Sequence, residues 1–291
     1  MSARPRPGAA SWAGLAAVVL AEIGYPLADG ATRTRLTVLT VLLGCAVSVA
    51  HAATSRGWRA AAVLVGVAGG GGLAVEALGV ATGVPFGSYG YSAALGPSAL
   101  GVPLVIPLAW TWMAWPAWLV AGRLAPGAAQ VPVAGLALAA WDLFLDPQMV
   151  AEGYWTWRAP RPALPGVPDI PISNYLGWLL VAIALMALLA AVPDARRPGP
   201  DGPMYALYLW TYASGVLAHA VFLHLPASAV WGGLGMAPVA VPLAVVLWRC
   251  GARDRKDRHN VRIGGRGDGS PLRPRLPGRR ADQSNEQRVA P

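Results

Sequence analysis

Eight apolar runs, near residues 12–28, 36–53, 60–82, 100–121, 131–150, 174–193, 204–223 and 228–248, are separated by short breaks rich in Pro, Gly and Arg. About 20 helical residues cross a hydrocarbon core, and within lipid only helices and closed barrels satisfy every backbone polar group internally. The runs therefore predict an all-α fold, a polytopic membrane helix bundle of about eight transmembrane helices. Composition agrees. Hydrophobic residues make up 55% and charged residues 13%, with a mean hydropathy of +0.46, well away from a soluble domain. Arg4 and Arg6 precede the first run as they would in a signal peptide. Glu22 interrupts that run, however, and no small-residue cleavage site follows before Asp29, so it is read as a span.

From about residue 251 the texture changes to RDRKDRHNVRIGGRGDGSPLRPRLPGRR. Residues 1–250 are assigned to the bundle and 251–291 to a disordered basic tail, which supplies most of the net charge of +9. Such a tail supplies topogenic charge and touches anionic lipid, a reading preferred here to nucleic-acid binding. An even number of spans puts both termini on one side, together with Arg56, Arg59, Arg123, Arg196 and Arg197; the other side has Arg33, Arg35, Arg158 and Arg161. The positive-inside rule then makes both termini cytoplasmic in a multi-pass protein of the cell membrane. Cys45 and Cys250 imply neither a disulfide framework nor a metal cluster.

On this topology Glu22, Glu76, Asp142 and Asp146 fall in the outer half of spans one, three and five. Asn174 begins span six at the same level, and His219 and His224 end span seven. Intramembrane carboxyls are costly and face a cavity or a partner. No Lys or Arg lies at that depth, and a desolvated carboxyl without a counterion favours its protonated form. Asp142 and Asp146 are spaced i,i+4 on one helix face, so the pair is expected to hold at least one proton, as a general acid must. The structural alternative is that Asp146, before Pro147, caps freed backbone groups and that Glu22 ties two helices together. Gly69 to Gly72 allow close helix approach; without a preceding strand or a following Lys-Ser/Thr they are not a P-loop.

Several of the 13 tryptophans are read as interface anchors, above all Trp12, Trp58, Trp231 and Trp248. Others gather near the acids. Phe86, Tyr89, Tyr91, Trp110, Trp141, Tyr154, Trp155 and Trp178, with Trp157 and Tyr175, suit a long apolar substrate and a developing carbocation, which ring faces stabilise.

The segments PFGSYGYSAALGPSALGVPLVIPLAW, WDLFLDPQMVAEGYWTW and IPISNYLGWLL, in this order, resemble the integral-membrane carotenoid biosynthesis hydratases, the family of bisanhydrobacterioruberin hydratase and the γ-carotene 1'-hydroxylase-type carotenoid 1,2-hydratases. The resemblance covers roughly residues 60 to 190. It implies addition of water to the terminal C1,C2 double bond of an acyclic carotenoid, giving a tertiary alcohol with no cofactor. Tyr89, Trp110, Asp142, Asp146, Pro147, Trp155, Asn174 and Trp178 fall in the family-like segments. Pro168 and Asp169 depart from it, standing where an aromatic-Gly pair is expected before Ile170.

Hydration needs one acid and one base. Asp142 and Asp146 are assigned to that pair in either order, Glu76 to a proton relay, Asn174 to positioning water, and Trp141 or Trp155 to the cation. The expected partners are the carotenoid, water, membrane lipid and other membrane enzymes of the same pathway, with no nucleic acid. Di-iron hydroxylation needs more clustered histidines than His51, His219, His224 and His259 provide. A magnesium-dependent prenyltransferase needs a second acidic motif and basic diphosphate ligands. A carotenoid cyclase, which shares the initial protonation, and a proton-coupled transporter are the alternatives that remain.

Overall fold

The computed structural model describes residues 8–264 other than 193, 194, 196 and 197. Ten α-helices and six short strands alternate along it. The helices are α1 (Ala9–Gly24), α2 (Gly30–Arg56), α3 (Trp58–Leu64), α4 (Gly71–Thr82), α5 (Val105–Leu124), α6 (Gln130–Ala139), α7 (Asp142–Ala151), α8 (Ile172–Ala190), α9 (Gly202–Leu217) and α10 (Pro226–Gly264). The strands are β1 (Tyr89–Tyr91), β2 (Ser98–Ala99), β3 (Val102–Pro103), β4 (Trp155–Trp157), β5 (Ala163–Leu164) and β6 (Val167–Pro171).

Seven of the eight expected spans are helical stretches long and apolar enough to cross a membrane. The remaining run, 204–223, is the 16-residue α9 continued by a π turn at Ala218–Phe222, and does not qualify by length and hydropathy together. Two spans are broken within the bundle: α3 meets α4 through a π segment at Val65–Gly70, and α6 meets α7 through a turn at Ala140 and Trp141. Leu20, Leu27, Leu176, Leu180 and Leu188 are among many large apolar side chains left exposed, as lipid-facing helices require. Trp12, Trp58 and Trp248 are exposed as the anchor reading expects, whereas Trp231 is half-buried and donates to the Pro165 carbonyl at 3.0 Å.

Helix α5 is the bundle's axis, buried along almost its whole length and packed against α2, α6 and α9. Pro116 removes the N–H that would bond the Trp112 carbonyl, and Ser48 of α2 fills the vacancy by donating to that carbonyl at 2.8 Å. Glycines let neighbouring helices close in. A Cβ at Gly72 would lie 2.8 Å from Trp110, one at Gly69 2.8 Å from Thr111 and one at Gly71 2.6 Å from Leu185, so this run serves close approach as its composition suggests.

The chain divides into a unit of Met1–Val246, which contains the bundle, and a second from Leu247 onward. Helix α10 overruns the boundary that composition placed at residue 250. No Gly or Pro interrupts 252–263, and Arg and Lys are good helix formers. Residues 265–291 of the expected tail lie outside the described residues.

Candidate active site

Two interhelical loops are joined across the mouth of the bundle. Helix α7 ends in a Schellman motif: Gly153, at φ 70°, donates to the Val150 carbonyl at 2.9 Å, and Tyr154 donates to Met149 at 3.0 Å. This reversal sends Trp155 into β4, which pairs antiparallel with β1 in the register Tyr89↔Trp157 and Tyr91↔Trp155. Within α7, Pro147 leaves the Leu143 carbonyl without its helical donor, and the Ser228 hydroxyl of α10 supplies one at 2.8 Å.

The β1–β4 ladder carries the donors that hold the buried acids. Glu76 of α4 accepts from Tyr89 at 2.5 Å and Tyr91 at 2.8 Å on one oxygen, and from the Trp110 indole at 3.0 Å on the other. Trp110 stacks on Trp178, with ring centroids 3.9 Å apart and planes within 6°. Burial, and next the Glu76 carboxyl, push the Tyr89 and Tyr91 phenols up from their ordinary value, so both keep their protons for these bonds. Asp146 accepts from the Trp155 indole at 3.1 Å, and its other oxygen accepts from the Asn174 amide. The same amide nitrogen donates to Asp142 at 2.9 Å. Asn174 thus bridges two carboxyls. One oxygen of Asp142, Oδ1, is buried with no hydrogen-bond partner.

These groups surround a cavity of about 160 Å³. Glu76, Phe86, Tyr89, Tyr91, Trp110, Trp141, Asp146, Trp155, Asn174 and Trp178 all line it, as does Trp157. Three expected site residues do not, one of them Tyr175, whose buried hydroxyl has no partner. Asp142 is fully buried behind Asn174 and does not reach the lining, because the turn at Ala140 and Trp141 begins α7 with Asp142 inside the packing. Tyr154 is turned the other way: its hydroxyl donates to Thr34 at 3.0 Å, where with the Arg33–Glu152 ion pair at 2.5 Å it fastens the end of α7 to α2.

The lining also holds residues that the sequence did not single out for the site, namely Tyr25, Thr40, Trp112 and Gln148. Glu22, read as a helix tie outside the family-like segments, faces the same cavity and accepts from the Trp210 indole. His219 lines it too, bonded to Gln148 at 3.2 Å and Ser228 at 2.9 Å. Their common depth was the only sequence signal for Glu22 and His219. No Lys or Arg lines the cavity. Among the described residues no group of three His, Cys, Asp or Glu side chains is placed to hold a metal ion.

Fold and site together define a polytopic membrane protein with carboxyls set into an aromatic cavity. The family model described as "Carotenoid biosynthesis protein" matches residues 36–247, and the chain belongs to that family. Bisanhydrobacterioruberin hydratase of Haloarcula japonica is 38% identical over 112 residues, which cover 36% of this chain and 36% of the relative. The chain thus spans about a third of the length of this curated relative. No solved structure matches.

Proposed function

We propose that this protein hydrates the terminal C1,C2 double bond of an acyclic carotenoid in the cell membrane. The observation that carries the reading is Asp146, a carboxyl presented to a cavity whose walls are otherwise mostly apolar and aromatic. In the proposed cycle the acid protonates C2, the π pair becomes the new C–H bond, and a tertiary cation is left at C1. The faces of Trp141, Trp155 and Trp178 stabilise that cation. A water lone pair then forms the C–O bond, and the water's proton goes to a carboxylate. The net change is addition of one water.

The cavity's size fits this chemistry. An apolar cavity of about 150 Å³ holds one benzene, so the space here accepts a chain end and leaves the rest of a polyene outside. Asp142 neighbours Asp146 directly and through the Asn174 bridge but does not line the cavity, which supports Asp146 as the donor and Asp142 as the group that tunes it.

Membranes given an acyclic carotenoid in ¹⁸O-labelled water are expected to form a product heavier by one labelled water, without oxygen and with a chelator present. A cyclic isomer would instead mean cyclisation, and unchanged pigment would favour transport. The orientation has its own test. Reporters fused after residue 250 should read cytoplasmic and those within 155–170 external; both on one side would overturn the even span count.

A further inference from the structure

We infer that the cavity contains a second subsite, formed by Trp112, Thr40 and Tyr25, that binds a hydroxylic oxygen. The three residues line the same cavity as Asp146 and Glu76. Their exposures are 4%, 8% and 7%. The Trp112 indole nitrogen and the Thr40 hydroxyl have no hydrogen-bond partner, and the Tyr25 hydroxyl approaches Gln148 without completing a bond.

Neighbouring residues of the same types show how unusual this is. Thr37, Thr111 and Thr211, also buried on helices, each donate to the carbonyl four residues earlier, the ordinary resting place for a helical threonine. Thr40 does not. The indoles of Trp110, Trp155 and Trp157 on the same cavity each meet an acceptor. Trp112 is fixed where it is, since Gly44 of α2 leaves the space its ring fills and the Trp141 ring packs against it at 5.5 Å.

A buried donor left unpaired costs about 1–3 kcal/mol, and an indole N–H is a donor only. Its partner must therefore bring a lone pair. A hydrocarbon chain end has none. The matching chemistry is an oxygen that accepts from Trp112 and exchanges hydrogen bonds with the Thr40 and Tyr25 hydroxyls. Two sources fit: a water molecule held ready for the cation, or the hydroxyl of a chain end already converted. The subsite is defined by the unpaired groups, while its link to water addition rests on the hydratase reading.

Thr40→Val and Tyr25→Phe remove the hydroxyls and keep the shapes. Full-length variants in membranes are given an acyclic carotenoid in labelled water, and binding of a hydrocarbon carotenoid and of one with a terminal tertiary hydroxyl is measured separately. If the oxygen is water, each variant should lower the hydrated fraction about three- to tenfold, the cation losing its proton back to a carboxylate as an isomeric alkene. If it is the hydroxyl of the chain, the product fraction should hold while affinity for the hydroxylated carotenoid falls by the same factor. Wild-type product fractions and wild-type affinities in both variants, with unchanged or raised thermal stability, would overturn the subsite. A wild-type protein that forms no hydrated product would remove the hydratase reading instead. The subsite would then stand or fall on whether Thr40→Val weakens binding of the hydroxylated carotenoid.

Discussion

Asp146→Asn is expected to leave a folded, inserted protein that accumulates the unhydrated carotenoid, with turnover lowered by about 10²–10⁴-fold, the usual share of general acid-base catalysis. Asparagine keeps the size of the side chain and an oxygen for the Trp155 indole, and it removes proton exchange together with the acceptor of the Asn174 amide. Asp142→Asn should lose less, because that side chain meets Asn174 and stops short of the cavity. Pigment ratios at matched protein level test this, with the exposed Asp169→Asn as the control. Glu22 is unsuited to that purpose because it faces the same cavity. Near-normal product from Asp146→Asn would move the acid role to Glu76, and equal losses at the two positions would end the distinction between them.

Glu76→Ala should be the most destabilising single change at the site. It removes the acceptor of Tyr89, Tyr91 and Trp110 at once, and each buried donor left unpaired costs about 1–3 kcal/mol. The thermal midpoint of the detergent-solubilised protein should fall sharply and pigment conversion should stop. Glu76→Gln offers an acceptor to Trp110 and an amide to the two hydroxyls, so it should restore most of the stability and let activity report what the carboxyl itself contributes. An alanine variant as stable as wild type would show that the tyrosines are held by something else.

The spans were legible because a membrane helix writes its length directly into the sequence. The depth of the acids followed from counting along each span, and it placed Glu76, Asp146 and Asn174 near the aromatics of the two loops. The i,i+4 spacing of Asp142 and Asp146 indicated a shared face but not which carboxyl would reach open space. That depends on where α6 gives way to α7, and the turn at Ala140 and Trp141 has no Gly or Pro to announce it. The pairing of β1 with β4 was also hidden, because strands of three residues carry no periodicity of their own. Tyr154 was misplaced for the same reason, since the turn at Gly153 decides which way it points.

That pairing makes the two acid positions energetically inseparable. Tyr91, a donor to Glu76, sits directly opposite Trp155, the donor to Asp146, on one short ladder. A displacement of the ladder takes a donor from both carboxyls at once, so the two acids are ordered together or not at all. Residues that share a bonded network depart from additivity by about 0.5–3 kcal/mol. In a double-mutant cycle, Tyr91→Phe and Trp155→Phe should therefore show a coupling energy in that range, although one side chain serves α4 and the other α7.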